Sequence, residues 1–133
     1  MIEEYRRTGG NVAGPFAGAP LLLLTTTGAR SGLAHATPVM YLPDGDRLII
    51  FATYAGAPTN PAWYHDLLAH PQATVEVGNE SYEVTAHVVT GEERDRLYAR
   101  QAALFPTFAA YEARTTRKIP VIALQRTDST RYR

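Results

Sequence analysis

The sequence predicts a single mainly β domain of the α+β class, a closed or split β-barrel of about six antiparallel strands with a few short helices. Short runs of β-branched and apolar residues recur along the chain, and turn residues join successive runs directly into hairpins. The helical segments fall only in the gaps between these hairpins. A doubly wound sheet is disfavoured because the early strands follow one another without helical crossovers.

The first half of the chain supplies three strands. Residues 19–27 are apolar and β-branched and lie between turn signals, which predicts a strand buried on both faces. Residues 36–42 and 47–53 are the arms of a predicted hairpin, and a Pro-Asp-Gly-Asp turn at residues 43–46 joins them.

A helix is predicted between the two hairpins, in the segment TNPAWYHDLLAHP. Asn60 is expected to cap this helix, Pro61 to take its first position, and Pro71 to end it. The second hairpin then pairs residues 72–77 with residues 81–89 through a Gly-Asn-Glu turn. Because valines alternate with polar residues there, one face of this hairpin is expected to meet solvent.

The C-terminal part adds two helices and the last strand. Thr90 and Glu93 have the spacing of a capping box, which predicts the start of a helix. Pro106 ends that helix, a shorter one covers residues 107–114, and KIPVIAL forms the final strand. The predicted apolar face of the longer helix comprises Leu97, Tyr98, Gln101 or Ala102, and Phe105.

Composition excludes several classes of function. The 133 residues, 45% of them hydrophobic, suffice for one domain spanning residues 1–133, in which residues 1–14 and 127–133 are expected to be loose tails. Equal numbers of acidic and basic residues, 13 each, give no reason to expect a nucleic acid partner. The chain has no cysteine, so disulfides, thiolate nucleophiles and the usual structural zinc are excluded.

Other features narrow the location and the chemistry. The chain has no apolar segment long enough to predict a membrane span. The protein is expected to be cytoplasmic and to be a monomer or a weak dimer. Association with the inner face of the membrane stays open. No metal site is expected. His65 and His70 are five residues apart and do not share a helix face as a metal pair would.

The turn that ends LLLLTTTGARSG has the parts of an anion site. Its threonines at 25–27 offer hydroxyls, Gly28 and Gly32 let the backbone bend, Arg30 adds a fixed cation and Ser31 adds a hydroxyl. The glycine spacing is too short for a Walker loop, and no Lys-Ser/Thr follows. Taken alone, such a turn is more often a tight strand connection with a solvated arginine.

Four segments in order carry a family resemblance. LLLLTTTGARSG is followed by TPVMYL, by YAGAPTNPAWYHDLLAHP and by LFPTFAAYEARTTRKIPVIAL. Together they make residues 9–126 similar to the deazaflavin-dependent nitroreductase family, which are small oxidoreductases with an FMN-binding-like split β-barrel. In that family the Thr-Thr-Gly turn binds the phosphate and glutamyl tail of coenzyme F420, an 8-hydroxy-5-deazaflavin, and the Asn-Pro-x-Trp-Tyr helix borders the same groove.

The resemblance implies an F420H2-dependent reductase that transfers a hydride to a flat hydrophobic acceptor, which is a quinone, a nitroaromatic or an activated enone or lactone. Tyr111 is implied as the catalytic proton or hydrogen-bond donor, and Met40, Phe105, Phe108 and Tyr111 as the substrate wall. Backbone amides at 53–56 are expected to hold the pyrimidine edge of the ring. The implied cofactor-binding set comprises Thr26, Thr27, Gly28, Arg30, Ser31, Gly32, His35, Pro38, Thr53, Tyr54, Ala55, Gly56, Asn60, Trp63 and Tyr64.

Two departures from the family and two alternatives stay open. Ala29 and His35 stand where many relatives have cations, so the tolerated length of glutamyl tail is undecided. An FMN-dependent oxidoreductase of the same fold, with FMN as the cofactor, is the first alternative. A non-catalytic protein that binds a deazaflavin or another hydrophobic ligand is the second. Arg117 and Lys118 are within reach of an anionic tail, although a solvated charge pair is the simpler interpretation.

Overall fold

A closed antiparallel barrel forms the body of the protein in the computed structural model, which describes residues 2–12 and 18–127. Its strands are β1 (Leu21–Thr27), β2 (Ala34–Asp44), β3 (Arg47–Phe51), β4 (Gln72–Val77), β5 (Glu80–Val89) and β6 (Val121–Arg126). The helices are α1 (Ile2–Thr8), α2 (Ala62–Ala69), α3 (Gly91–Leu104) and α4 (Thr107–Arg114).

The barrel closes in the order β1-β2-β3-β6-β5-β4, with β4 paired back on β1, and every pairing is antiparallel. This confirms the predicted fold class, the number of strands and both hairpins. The predicted bounds of the strands differ from the observed bounds by one to three residues, and β4 begins and ends where the valine alternation predicts. No helix within residues 2–12 and 18–127 is both long and apolar enough to cross a membrane.

The strand β1 is buried on both faces, as its apolar run predicts. Leu22 and Leu24 point into the barrel and join its interior cluster. Leu21 and Leu23 lie on the outside, where α1 covers them. All four leucines are at most 6% exposed. A strand at a barrel surface normally has one solvent face, so the apolar outer face of β1 is explained by the helix above it.

The prediction of a loose N-terminal tail is wrong for residues 2–12. Tyr5 on α1 is 1% exposed, and its hydroxyl lies 2.9 Å from the carbonyl oxygen of Leu21 and accepts the N–H of Gly78 at 2.9 Å. Arg6 forms two hydrogen bonds with the carboxylate of Glu76, at 2.8 and 2.9 Å. These contacts hold α1 against the barrel. Residues 1, 13, 14 and 128–133 lie outside the described part of the chain.

A second apolar cluster lies between the barrel and the helices α3 and α4. The outward side chains of β3 and β6 meet Leu97 and Tyr98 of α3 and Phe108 of α4. The guanidinium of Arg94 donates to the carbonyl of Ile119 at 2.8 and 3.1 Å, which ties α3 to the segment before β6. This cluster fixes α4 beside the end of β3, where the candidate site lies.

The two predicted helix caps are not formed by the residues named. The helix α2 begins at Ala62 after Pro61, and the side chain of Asn60 accepts a hydrogen bond from Arg117 at 2.7 Å instead of capping. Thr90 does stand before α3, but its side chain makes no cap bond, and Glu93 pairs with Arg47 at 3.0 Å. In both cases a tertiary partner replaces the local one that the sequence motif suggests.

Gln101 of α3 is expected to lower the stability of the protein. Its side chain is completely buried, and neither its Nε2 nor its Oε1 has a hydrogen-bond partner among the described residues. Burying an unsatisfied amide costs about 1–3 kcal/mol, and methionine has a similar shape without the polar atoms. We therefore expect Gln101→Met to raise the free energy of unfolding by about 1–3 kcal/mol.

Urea denaturation of Gln101→Met beside the wild type measures this gain. The control is Gln72→Met at an exposed position of β4, which is expected to change the free energy of unfolding by less than about 0.5 kcal/mol. A loss of stability in Gln101→Met would contradict the prediction.

Candidate active site

Two adjoining cavities form one groove at the surface of the barrel, beside α2 and α4. One has a volume of about 830 Å³ and the other about 870 Å³, and both have Thr37, Ala62 and Trp63 in their walls. We call the first the polar cavity, because the turn at residues 28–31 forms much of its wall. We call the second the apolar cavity, because its walls carry Met40, Phe51, Phe105, Phe108 and Tyr111.

The turn at the polar cavity holds one free cation and free backbone donors. Gly32 adopts a φ of +69° and donates to the Gly28 carbonyl at 3.0 Å, which closes the turn. A Cβ at Gly28 would overlap the Ser31 hydroxyl, so a larger residue there would displace the Ser31 side chain. Among residues 2–12 and 18–127, the exposed side chain of Arg30 has no acidic partner, and the N–H groups of Arg30 and Ser31 find no acceptor.

A buried carboxylate that the sequence analysis missed holds this turn. Asp66 of α2 is 8% exposed; its Oδ1 accepts the N–H of Ala29 and its Oδ2 the hydroxyl of Thr26, both at 3.0 Å. The predicted role of Thr26 is therefore corrected, because its hydroxyl is directed to Asp66 and its side chain is buried. The sequence did offer one signal for Asp66, which is its position three residues after Trp63. That spacing places Asp66 on the same buried face of α2 as Trp63.

The charges at the polar cavity nearly balance. Arg30 and Asp66 both border it, together with the exposed imidazoles of His35 and His65. The charges of the Arg30 guanidinium and the Asp66 carboxylate cancel.

Aromatic rings build one wall of the apolar cavity. The Phe108 ring is 5.7 Å from that of Phe51, 6.4 Å from that of Phe105 and 5.6 Å from that of Tyr111, measured between ring centres. The hydroxyl of Tyr98 donates to the Phe108 carbonyl at 2.7 Å, and burial raises the pKa of Tyr98 to about 12. Tyr98 therefore stays protonated and keeps α4 bound to α3 at every ordinary pH.

Tyr111 brings a free hydroxyl to the apolar cavity. Its half-buried ring lies against Phe108, and the guanidinium carbon of Arg114 is 6.0 Å from the ring centre. The hydroxyl makes no hydrogen bond to any residue in the described ranges. It is thus available to donate to a molecule in the cavity.

The loop after β3 forms the opposite wall in a strained conformation. Tyr54 and Ala55 have φ values of +46° and +53°, a region that residues other than glycine seldom adopt. Their N–H groups donate to no residue that the structure describes. Adjacent non-glycine residues in this conformation are typical of functional sites. Neighbouring N–H groups in such a loop can point outward together and bind an anion or a carbonyl group.

The same loop is held by Arg117, which corrects both interpretations of that residue. Its guanidinium donates to the carbonyls of Ala52, Thr53 and Ala57 and to the side chain of Asn60, so it is neither a solvated cation nor free to reach a ligand tail. Burial lowers the pKa of Arg117. Lys118 instead pairs with Asp95 at 3.4 Å.

The groove gathers most of the predicted site, but not all of it. All four predicted substrate residues line the apolar cavity, and so do Pro38, Thr53, Tyr54, Ala55 and Trp63. Gly28, Arg30, Ser31, His35 and Trp63 line the polar one. The predicted residues that border neither cavity are Thr26, Thr27, Gly32, Gly56, Asn60 and Tyr64. Within the described ranges, no group of three or more histidines and carboxylates is placed to hold a metal ion.

Comparison with known proteins identifies the family of this chain. A family model described as F420H(2)-dependent quinone reductase matches residues 1–126. The chain is 38% identical over 128 residues to an F420H(2)-dependent quinone reductase of Mycobacterium tuberculosis strain H37Rv, which covers 92% of this chain and 85% of that protein.

Solved structures agree with this match. One described as an F420-H2 dependent reductase (FDR-A) superposes with a TM-score of 0.73 at 33% identity, over 80% of this chain and 94% of that one. Another, described as a domain-swapped dimer, has a TM-score of 0.75 at 32% identity over 93% and 91% of the two chains. The resemblance drawn from the sequence motifs is confirmed, and this chain belongs to the F420H(2)-dependent quinone reductase family.

Proposed function

We propose that this protein transfers a hydride from reduced coenzyme F420 to a flat hydrophobic acceptor, with quinones as the first class of substrate. The observation that carries the proposal is the continuous groove. It joins a turn that carries the Arg30 guanidinium to an aromatic cavity lined by Tyr111, and neither side chain has a hydrogen-bond partner among the described residues. The names of the relatives support both the cofactor and the acceptor.

The residues of the groove suit the two halves of this cofactor. An anionic tail fits the polar cavity, where the Arg30 guanidinium and the N–H groups of Arg30 and Ser31 are free to donate. The carbonyl-bearing edge of a deazaflavin ring fits the apolar cavity, where the N–H groups of Tyr54 and Ala55 are free. Trp63 borders both cavities and is proposed to support the joint between ring and tail.

The bound reduced deazaflavin would supply the hydride, so the protein needs neither a nucleophile nor a metal of its own. The aromatic wall orients a flat acceptor and excludes water from it. The hydroxyl of Tyr111 is proposed to donate a hydrogen bond or a proton to the acceptor oxygen that gains negative charge. A quinone becomes a hydroquinone when it receives one hydride and one proton. One proton donor beside the ring therefore completes the site.

FMN differs from F420 in its ring, which is a flavin and not a 5-deazaflavin, and in its tail, which ends at a single phosphate. A single phosphate also suits a turn with one cation, so the polar cavity does not exclude FMN by charge. The family match favours F420. The second alternative, a non-catalytic binding protein, is disfavoured because the relatives are named as reductases.

Calorimetric titration tests the cofactor and the role of Arg30 together. We expect F420 to bind more tightly than FMN. Arg30→Ala is expected to weaken F420 binding by about 1.5–3 kcal/mol, the range for a charge-assisted hydrogen bond. The melting temperature is expected to stay unchanged, because an exposed turn cation contributes little to stability.

The matched control is Arg96→Ala, which removes an exposed arginine that borders neither cavity and pairs only loosely with Glu93, at 3.7 Å. It is expected to leave F420 affinity unchanged. Tighter binding of FMN than of F420 would overturn the cofactor proposal. Equal affinities in a folded Arg30→Ala and the wild type would show that the turn has only a structural role.

A further inference from the structure

One guanidinium fixes the whole loop that follows β3. The Nε of Arg117 donates to the carbonyl of Ala57 at 2.9 Å, and its Nη2 donates to that of Thr53 at 2.8 Å. The Nη1 donates to the carbonyl of Ala52 at 3.1 Å and to Oδ1 of Asn60 at 2.7 Å. All three guanidinium nitrogens are therefore used on the stretch of residues 52–60.

Apart from Arg117, few hydrogen bonds hold the conformation of this stretch. Gly56 donates to Thr53 at 2.8 Å and Ala57 to Tyr54 at 3.0 Å. With residues outside the stretch, Ala52 donates to Pro120 at 3.0 Å and Arg114 reaches the carbonyl of Ala55 at 3.4 Å. Two of its non-glycine residues, Tyr54 and Ala55, hold positive φ values. Such a conformation persists only where surrounding contacts over-determine it.

Arg117 has no acidic partner among the described residues, so an ion pair does not explain its partial burial. Among residues 2–12 and 18–127, no carboxylate lies within 4 Å of Arg117, and the four acceptors are neutral. A cation satisfied only by carbonyl dipoles fixes the directions of those dipoles. With its carbonyls engaged by Arg117, the loop keeps the N–H groups of Tyr54 and Ala55 as free donors at the apolar cavity.

We propose that Arg117 is a positioning residue for the ring of the cofactor, because it holds residues 53–57 in the conformation whose free N–H groups receive the ring. The inference rests on the proposed function, since it takes the deazaflavin to be the occupant of the apolar cavity. Arg117 borders neither cavity, acts through the carbonyls of the loop and the side chain of Asn60, and has no part in binding the tail.

Arginine and lysine differ sharply at such a position. A guanidinium presents five N–H donors in a planar fork, whereas an ammonium reaches fewer acceptors from a single point. Arg117→Lys keeps the charge and nearly the length but loses most of the loop contacts. We expect it to raise the Kd for F420 at least tenfold, and Arg117→Ala to raise it further.

The decisive measurement compares two ligands. One is F420, and the other is its 8-hydroxy-5-deazaflavin with only the ribityl chain, which lacks the phosphate and the glutamates. Arg117→Lys is expected to weaken both ligands by the same factor, because the ring is common to them. Arg30→Ala is expected to weaken F420 alone. Lys118→Ala, which removes the adjacent exposed cation, is expected to change neither Kd.

Rescue by added guanidinium separates positioning from general loss of structure. Arg117→Ala leaves room for a free guanidinium ion, so a few millimolar guanidinium chloride, compared with equal sodium chloride, is expected to restore part of the affinity for both ligands. Should Arg117→Ala not fold, the ligand comparison with Arg117→Lys decides the matter, with its melting temperature recorded alongside.

The two proposals fail in different ways. If the wild type binds neither ligand, the proposed function is wrong. If the wild type binds both and a folded Arg117→Lys binds both equally well, the positioning role is wrong while the function stands. If Arg117→Lys weakens the binding of F420 but not that of the deazaflavin with only the ribityl chain, the positioning role is also wrong. Arg117 would then be assigned to the tail.

Discussion

Tyr111→Phe is expected to lower kcat about tenfold to a few hundredfold while leaving the affinity for F420 within about twofold of wild type. The hydroxyl of Tyr111 borders the apolar cavity and bonds to no residue that the structure describes. Removing one donor to a developing oxyanion costs this much in other enzymes, because no water replaces it in a closed site. Phenylalanine keeps the ring that lies 5.6 Å from Phe108, so the wall itself is expected to persist.

The assay follows the return of cofactor fluorescence as F420H2 is oxidised by menadione, with a coumarin and a nitroaromatic as second acceptors. The control is Tyr41→Phe, which removes a hydroxyl from a tyrosine of β2 that borders neither cavity. Equal kcat values in Tyr111→Phe and wild type would reduce Tyr111 to a wall residue. Tight F420 binding with no turnover of any acceptor by the wild type would favour the non-catalytic alternative.

The barrel was predictable because its signals are local. The alternation of valines in β4, the Pro-Asp-Gly-Asp turn before β3 and the apolar run of β1 each act over fewer than about ten residues, and the backbone responds to them directly. The groove followed from the resemblance, which aligned dispersed motifs in one order. Neither kind of evidence depends on knowing which distant side chains meet.

The hydrogen bonds that hold the site were not predictable in this way. Asp66 meets Thr26 across 40 positions of sequence, and Arg117 meets Asn60 across 57. A charged residue in a turn or helix is most often solvated, so sequence reasoning assigns it to solvent unless a partner is known. Here each group instead bonds to polar atoms of the surrounding backbone and side chains, which satisfies them.

The predictions for the helix caps and for the N-terminal segment were wrong for the opposite reason. Their local signals were read correctly, but tertiary contacts prevailed over them. Glu93 has the spacing of a capping box, yet it pairs with Arg47 of β3 at 3.0 Å. A helix of 7 residues is too short to be stable alone, so α1 gave little reason to expect order. It is ordered because Tyr5 buries its ring and bonds to β1 and to the turn after β4.

Gly56→Ala is expected to lower the free energy of unfolding by about 2–5 kcal/mol and to reduce turnover as well. Gly56 has a φ of +79°, which costs an alanine about 1–2 kcal/mol. A Cβ there would also lie 2.8 Å from the carbonyl oxygen of Tyr111 and 2.9 Å from the Cβ of Arg114, so α4 must move away. That movement would carry the Tyr111 hydroxyl away from its place beside the ring.

The matched control is Gly45→Ala in the turn between β2 and β3. Gly45 has a similar φ of +61°, but a Cβ there meets nothing within 4 Å, so only the conformational cost of about 1–2 kcal/mol is expected, with kcat unchanged. Urea denaturation and the menadione assay on both variants separate the two effects. Because the close approach to α4 is what distinguishes Gly56, equal losses of stability in the two variants would mean that the loop and α4 do not constrain each other.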